Sequence, residues 1–205
     1  MRKLTVPISE ETIRELKVGE PVQLSGVIAT GRDTAHKYMI ENFVKTAGKA
    51  PEAEEDIYAA LKEVLQNGVI YHCGPVVRED NGTWSFVAAG PTTSIREEPY
   101  QADVIEHFGL RAVIGKGGMG AKTLQGCQDY GAVYLHAIGG AASLIAESVK
   151  EVVTVHKMEF GVPEAFWIIR VEDFPAVVTM DSHGNSLHQQ MLERSSAKLA
   201  DLLAG

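Results

Sequence analysis

The chain has 205 residues with 19 Lys+Arg against 27 Asp+Glu, a formal net charge of −8, and 45% hydrophobic residues. That length and apolar content fit one globular domain burying most of its chain, and the acidic balance removes the electrostatic footprint of a nucleic-acid binder. Two cysteines, Cys73 and Cys127, leave no disulfide framework and no all-cysteine metal site. No uncharged apolar run reaches the roughly 18 residues of a membrane span, and the Met1-Arg2-Lys3 start lacks an apolar signal segment, so the expectation is a cytoplasmic protein.

Ser9 is placed to cap a short helix over 10–16, and the alternation of Val22, Leu24, Gly26 and Ile28 predicts a strand. Asp33 is a candidate cap for a helix carrying Ala35, Met39 and Phe43 near one face. A second helix over 55–66 follows from the stripe Ile57, Ala60, Leu61, Val64 and Leu65, with Gly68 able to end it. Asn81-Gly82 predicts a hairpin turn between strands 69–73 and 83–88. A helix is expected near 97–108. Beyond it, β-rich runs at 111–114, 132–137 and 151–156 alternate with glycine-containing helical stretches at 118–130 and 139–149. That βαβαβ rhythm predicts parallel strands with right-handed crossovers. Two more strands, 165–171 and 176–180, are joined through Asp173-Phe174-Pro175, and a terminal helix carries Leu187, Met191 and Leu202. The expected fold is one α/β domain over 1–205 with a mixed, partly parallel sheet; the alternative is a split near 90–100.

Glycine makes up 20 of 205 residues, about a tenth where ~7% is usual, and many fall where a strand meets a helix. Gly115-Lys116-Gly117-Gly118-Met119-Gly120 literally satisfies the G-x-G-x-x-G spacing, but the next strand ends in His136-Ala137, without the carboxylate that holds a ribose. Lys116 precedes the glycines and no Ser or Thr follows as a phosphate loop needs. What remains is an anion site at a helix start with Lys116 as a mobile cation, or a turn that only packs tightly. Gly90-Pro91-Thr92-Thr93-Ser94-Ile95-Arg96 offers either hydroxyl and guanidinium groups for a carboxylate or a plain helix cap with a solvated Arg96. Gly31-Arg32-Asp33-Thr34-Ala35-His36 reads as an arginine delivered to a helix start, or as an Asp33 cap with a surface His36. Each segment places a cation at a strand-to-helix junction, and in open α/β sheets those ends gather at the ligand crevice. Arg32, Arg96 and Lys116 converging would suit a small dianion. Asp181-Ser182-His183-Gly184-Asn185 reads as a turn, Cys127 as packing, and the 52–56 carboxylates as a solvated helix start.

The same segments resemble the beta subunit of the iron–sulfur hydro-lyases, class I fumarate hydratase and L-tartrate dehydratase. The stretches that carry the resemblance are Ser25-Gly26, Arg32 through His36, Tyr71 with Gly74-Pro75, Gly90 through Arg96, and Gly115 through Met119. They continue in family order with Gly139 through Ala142, Glu164 through Trp167, Asp173 through Ala176, and Asp181 with Gly184-Asn185. Glu97 departs from the methionine common in the family, with little consequence expected because the Thr and Arg positions remain. Phe166 is a mild apolar variation.

The resemblance implies a swivelling β/β/α domain. It also implies a separate alpha subunit holding a [4Fe-4S] cluster through three cysteines, with none bound by this chain. Arg32, Arg96 and Lys116 would bind the dicarboxylate, and Thr92 stands where the family has a candidate proton-transfer residue. The expected activity is reversible hydration of fumarate to L-malate, with L-tartrate dehydration as the alternative. The expected assembly is a hetero-oligomer, or a homodimer in isolation, with no nucleic acid and no membrane. Two readings of other classes stand beside it: a stand-alone small-anion-binding module, and a nucleotide-dependent oxidoreductase that the missing carboxylate disfavours.

Overall fold

The computed structural model describes residues 1–204. Strands β1 (Arg2–Thr5), β2 (Pro21–Thr30), β3 (Val69–Tyr71), β6 (Ala112–Gly115), β7 (Val133–His136), β8 (Val149–His156) and β9 (Phe166–Met180) form one mixed sheet in the order β1-β2-β3-β6-β7-β9-β8. Strands β1, β2, β3, β6 and β7 run parallel to one another. Strand β9 runs antiparallel to β7 and β8 and also to β2, which closes β2, β3, β6, β7 and β9 into a ring.

Side-chain alternation divides the core in two. Val69 and Tyr71, Ala112 and Ile114, Val133 and Leu135 point into the ring, where they meet Leu24, Ile28, Trp167, Ile169 and Phe174. Ile70, Val113 and Tyr134 point outward and are covered by α2 (Asp33–Met39), α3 (Glu55–Leu65), α4 (Glu98–Phe108) and α5 (Ala121–Tyr130) through Met39, Leu61, Leu65, Val104, Ile105, Phe108 and Cys127. Strands buried on both faces read as continuous apolar runs, which is why these segments are β-rich rather than cleanly alternating.

Ser9 caps α1 (Glu10–Arg14), its Oγ accepting from Thr12 N at 3.3 Å, as its position predicts. Three expectations change, and one alternative drops out. The hairpin at Asn81-Gly82 joins β4 (Val76–Asp80) to β5 (Thr83–Ala88), while β3 belongs to the main sheet; the intervening Gly74-Pro75 breaks what reads as one run. Trp84 and Phe86 of this hairpin pack edge-on against Trp167. The third strand of the βαβαβ rhythm is not parallel: β8, reached through the short α6 (Ala142–Ala146), pairs antiparallel with β9. The two predicted C-terminal strands are one, since Asp173 at φ +49° and register shifts bend β9 without ending it. There is no split near 90–100, because β6 pairs directly with β3.

Asp181 accepts hydrogen bonds from His183 N and Asn185 N at 3.0 Å each, making the expected turn before α7 (Leu187–Ala204). Among the described residues no helix is long and apolar enough to cross a membrane.

Candidate functional site

Parallel strands all end on one side of a sheet. Here β2 delivers Gly31-Arg32, β3 delivers His72-Cys73-Gly74, β6 delivers Lys116 and β7 ends at His136. The 90–96 segment is threaded through this edge by backbone pairing. Thr92 N donates to His72 O at 2.7 Å, Lys116 N to Thr92 O at 3.1 Å, and Ser94 N to Lys116 O at 3.0 Å. The Thr92 and Lys116 backbones are therefore fastened to each other and to the end of β3. Arg32 lies over the residues that follow β3 because Gly74 has no side chain: a Cβ there would meet Arg32 Nη1 at 2.5 Å. Arg96 joins through Asp33, to which its Nη2 donates a hydrogen bond.

The cations differ in how they are held. Arg32, about four-fifths buried, has Nε 3.3 Å from Glu164 Oε1. Among the described residues Lys116 Nζ has no acidic partner and the Thr92 hydroxyl no hydrogen-bond partner, and both residues are half-buried. An ammonium and a hydroxyl in this condition have hydrogen-bonding capacity to offer a ligand.

The helix-start glycines do less for an anion than their sequence implies. The first N–H groups of α5 are already taken by Glu98: its carboxylate accepts from Gly120 N at 2.8 Å, Lys122 N at 3.0 Å and Thr123 N at 3.2 Å. The macrodipole of α5 is thus satisfied by an anion of the chain itself. Gly117 and Gly118 adopt φ +81° and +78° in the turn, and a Cβ on Gly118 would strike the His188 ring at 2.4 Å. Lys116 is the part of the anion reading that survives. Asp33 likewise does not cap α2; its carboxylate faces Arg96, and Glu164 Oε2 instead accepts from Thr34 N at 3.1 Å. Nor do the 92–94 hydroxyls cap the helix that follows.

Beneath the cations lies a buried polar layer. His36, expected on the surface, is fully buried, as are His72, Ser94, Glu97 and Gln101. His36 Nδ1 lies 2.9 Å from the Arg32 carbonyl oxygen, which can only accept, so that nitrogen donates. Burial pulls the His36 pKa down, and burial together with His36 pulls His72 well below the usual value, so both rings are neutral. Their Nε2 atoms approach the same atom of the Gln101 amide, at 2.9 and 2.8 Å. With oxygen at that point His36 would have no proton to give and Gln101 Nε2 would be buried without a partner. Turning the amide over directs its two N–H bonds at the two rings, and we assign it so. His72 Nδ1 then donates to Ser94 Oγ at 2.8 Å, which also accepts from Tyr134 OH at 2.9 Å. Gly115 is required here, since a Cβ would lie 1.8 Å from Ser94 Oγ.

Glu97 completes this layer. Its carboxyl is fully buried and faces Asp33 and, at 3.9 Å, His72 Nδ1. A substitution expected to matter little therefore stands directly behind Arg96. Its departure from methionine was the one signal in the sequence that could have pointed to it; nothing in the sequence singles out Gln101 or Glu164.

Burial pushes the thiols of Cys73, at the end of β3, and Cys127, on α5, up to about 12, and both are free. Among the described residues no group of three or more His, Cys, Asp or Glu is arranged to hold a metal ion. A groove of about 510 Å³ between Pro7, Val27, Val64, Val153 and Ile168 has none of Arg32, Arg96 and Lys116 in its lining. Hydrogen-bonding capacity, rather than concavity, marks the candidate site.

A sequence profile described as fumarase C-terminus matches residues 2–191. A putative fumarate hydratase class I of Geobacillus stearothermophilus is 53% identical over 198 residues, covering 96% of this chain and 35% of that protein, so the chain spans about a third of it. The L(+)-tartrate dehydratase subunit beta of Escherichia coli (strain K12) is 37% identical over 185 residues, covering 90% of this chain and 85% of that one. A putative L(+)-tartrate dehydratase subunit beta of Methanocaldococcus jannaschii is 39% identical over 198 residues, covering 96% and 95%. With a profile match along nearly its whole length and relatives of this identity, the chain belongs to the fumarase C-terminus family.

Proposed function

We propose that the chain is the dicarboxylate-holding half of a hydro-lyase that reversibly hydrates fumarate to L-malate. The observation that carries this reading is the single edge at which Lys116 and Thr92 are fastened together by backbone hydrogen bonds while Arg32 and Arg96 arrive from the β2–α2 junction and the 94–97 turn. In a chain of net charge −8 these cations form a local site for a dianion. Arg32 and Arg96 suit planar, bidentate carboxylate recognition, and Lys116 supplies a mobile charge.

Removing a proton beside a carboxylate places negative charge on that carboxylate in the transition state. Fixed cations around it lower the barrier, an effect worth about 3–4 kcal/mol per well-placed donor. Thr92 orients substrate at the reacting carbon. Its hydroxyl is too weak a base to act alone at neutral pH, so proton transfer through it needs an activating group from a partner. Because Cys73 and Cys127 do not form a ligand set, no step is assigned to a metal on this chain, and we place the iron–sulfur cluster on a separate alpha subunit. The 53% identity to a protein named as a fumarate hydratase favours fumarate. Tartrate is the second reading, favoured by the length match to separate tartrate dehydratase beta subunits.

The test is co-expression with a cluster-bearing alpha-type subunit, anaerobic purification, and spectrophotometric assay with malate, fumarate and tartrate. Interconversion of malate and fumarate supports the assignment, and preference for tartrate selects the second reading. A verified complex inactive on all three refutes both, and dicarboxylate binding by this chain alone with no partner dependence would establish the anion-binding module instead.

A further inference from the structure

Arg96 does not stand alone at the edge. Its guanidinium donates to Asp33 Oδ2, and Glu97, next to it on the 94–97 turn, is fully buried behind Asp33. Among the described residues Asp33 Oδ1 and both oxygens of Glu97 are buried atoms without a donor, although the two carboxyls lie within hydrogen-bonding reach of each other. Two carboxylates so placed do not both ionise, and one proton between them converts orphaned acceptors into a donor–acceptor pair. The other groups facing the pair are Arg96 from the same turn, His72 from the end of β3 with Nδ1 3.9 Å from Glu97 Oε2, and Tyr134 from β7. His36 of α2 stands behind His72, ring centroids 5.0 Å apart. Both histidines are neutral and Tyr134 stays protonated because burial raises its pKa, so among the described residues facing the pair Arg96 is the cation that meets a change in its charge.

We propose that Glu97 is a positioning residue for Arg96: by sharing a proton with Asp33 it limits the pair to one negative charge, so that Arg96 is oriented by Asp33 yet free to take a substrate carboxylate. Loss of that proton adds a second negative charge and holds Arg96 back on the pair. The inference rests on the reading of Arg96 as a substrate ligand. Burial, and then Asp33, push the Glu97 carboxyl up to about 8. Burial pushes Asp33 the other way from its net shift; the hydrogen bond from Glu97, its own backbone and Arg96 outweigh burial and hold Asp33 below the usual carboxylate range. The proton therefore sits on Glu97 at neutral pH and leaves in mildly alkaline solution.

Glu97→Gln tests this, because the amide keeps a donor toward Asp33 and cannot ionise. In the assembled enzyme, KM for malate in the parent should rise by up to about tenfold per pH unit above the Glu97 pKa, with kcat changing less, and Glu97→Gln should abolish that limb. An alkaline rise in KM that persists in Glu97→Gln, or is missing from the parent, overturns the proposal. On the full chain alone, carbon-13 carboxyl NMR reads the proton directly. Glu97 should titrate near 8, and Asp33→Asn should move its midpoint down. A Glu97 resonance that titrates in the ordinary carboxylate range, or ignores Asp33→Asn, overturns the pairing. Since this titration needs no turnover, an inactive complex with a normal Glu97–Asp33 titration refutes the hydro-lyase reading and the substrate half of the proposal while upholding the shared proton.

Discussion

Gly74→Ala separates the site from the fold. The backbone at Gly74 is not in the left-handed region, so alanine is conformationally allowed. The added Cβ would lie 2.5 Å from Arg32 Nη1, 3.0 Å from Arg32 Cδ and 3.0 Å from Pro163 Cβ. Ordinary contact begins near 3.4 Å, so the guanidinium must retreat by about 1 Å while Pro163 gives by a few tenths. The nearest clash is with the far end of a flexible side chain, so the fold should lose no more than about 1 kcal/mol. Binding should lose more. A charge-assisted hydrogen bond to a carboxylate is worth about 1.5–3 kcal/mol, and displacing a positioned group by ~1 Å can cost about 100-fold. The expected result is a KM for the dicarboxylate raised about 10- to 100-fold with a near-parental melting temperature. Steady-state kinetics of the assembled enzyme and a thermal melt of the isolated chain measure the two. Unchanged KM with a displaced Arg32 would refute the assignment of Arg32 to the substrate, and a melt lowered in parallel with KM would refute the claim that Gly74 acts only through Arg32.

Lys116→Met should raise KM by about 10- to 100-fold, leaving the melting temperature nearly unchanged, because Nζ has no acidic partner among the described residues. Trp167→Ala should destabilise by about 3–5 kcal/mol in urea unfolding, since the side chain is fully buried, donates from Nε1 to Val162 O at 2.9 Å, and anchors Trp84 and Phe86. Gly115→Ala should be strongly destabilising, and Ser94→Ala in the same chain should recover part of the loss because the 1.8 Å approach is to Ser94 Oγ; additive costs in a double-mutant cycle would refute that contact. Glu97 also predicts a pH dependence of stability. Its folded pKa of about 8 is above its ordinary 4.5, so the folded chain holds the extra proton between these values. Stability from this group is complete below about 4.5 and declines as pH rises toward about 8, at up to ~1.4 kcal/mol per unit, and Glu97→Gln should remove that slope from denaturation curves.

The buried layer shows what positions the cations. Glu98 and Glu164 satisfy the helix starts beside Lys116 and Arg32, and the His36–Gln101–His72–Ser94–Tyr134 chain supports the loops from below. Each buried polar atom so paired resists displacement, because leaving it unpaired costs about 1–3 kcal/mol.

Local chemistry in the sequence was sufficient for much of this. Period and punctuation mark most strands and helices, Ser9 and Asp181 announce their own cap and turn, and glycines at strand ends mark where backbone must pass closely. Three cations at strand-to-helix junctions were legible for the same reason. Tertiary structure decided what depends on partners distant in the chain. Whether β8 runs parallel or antiparallel, and whether β9 is one strand or two, is set by pairing across the sheet; short apolar runs carry no record of direction. Asp33 looks like a cap until Arg96, 63 residues away, claims it, and the α5 start looks free for a ligand until Glu98 fills it. Glu97 is an acidic letter in a polar stretch until the fold buries it against Asp33, because a carboxyl's charge state is a property of its surroundings rather than of its position in the chain.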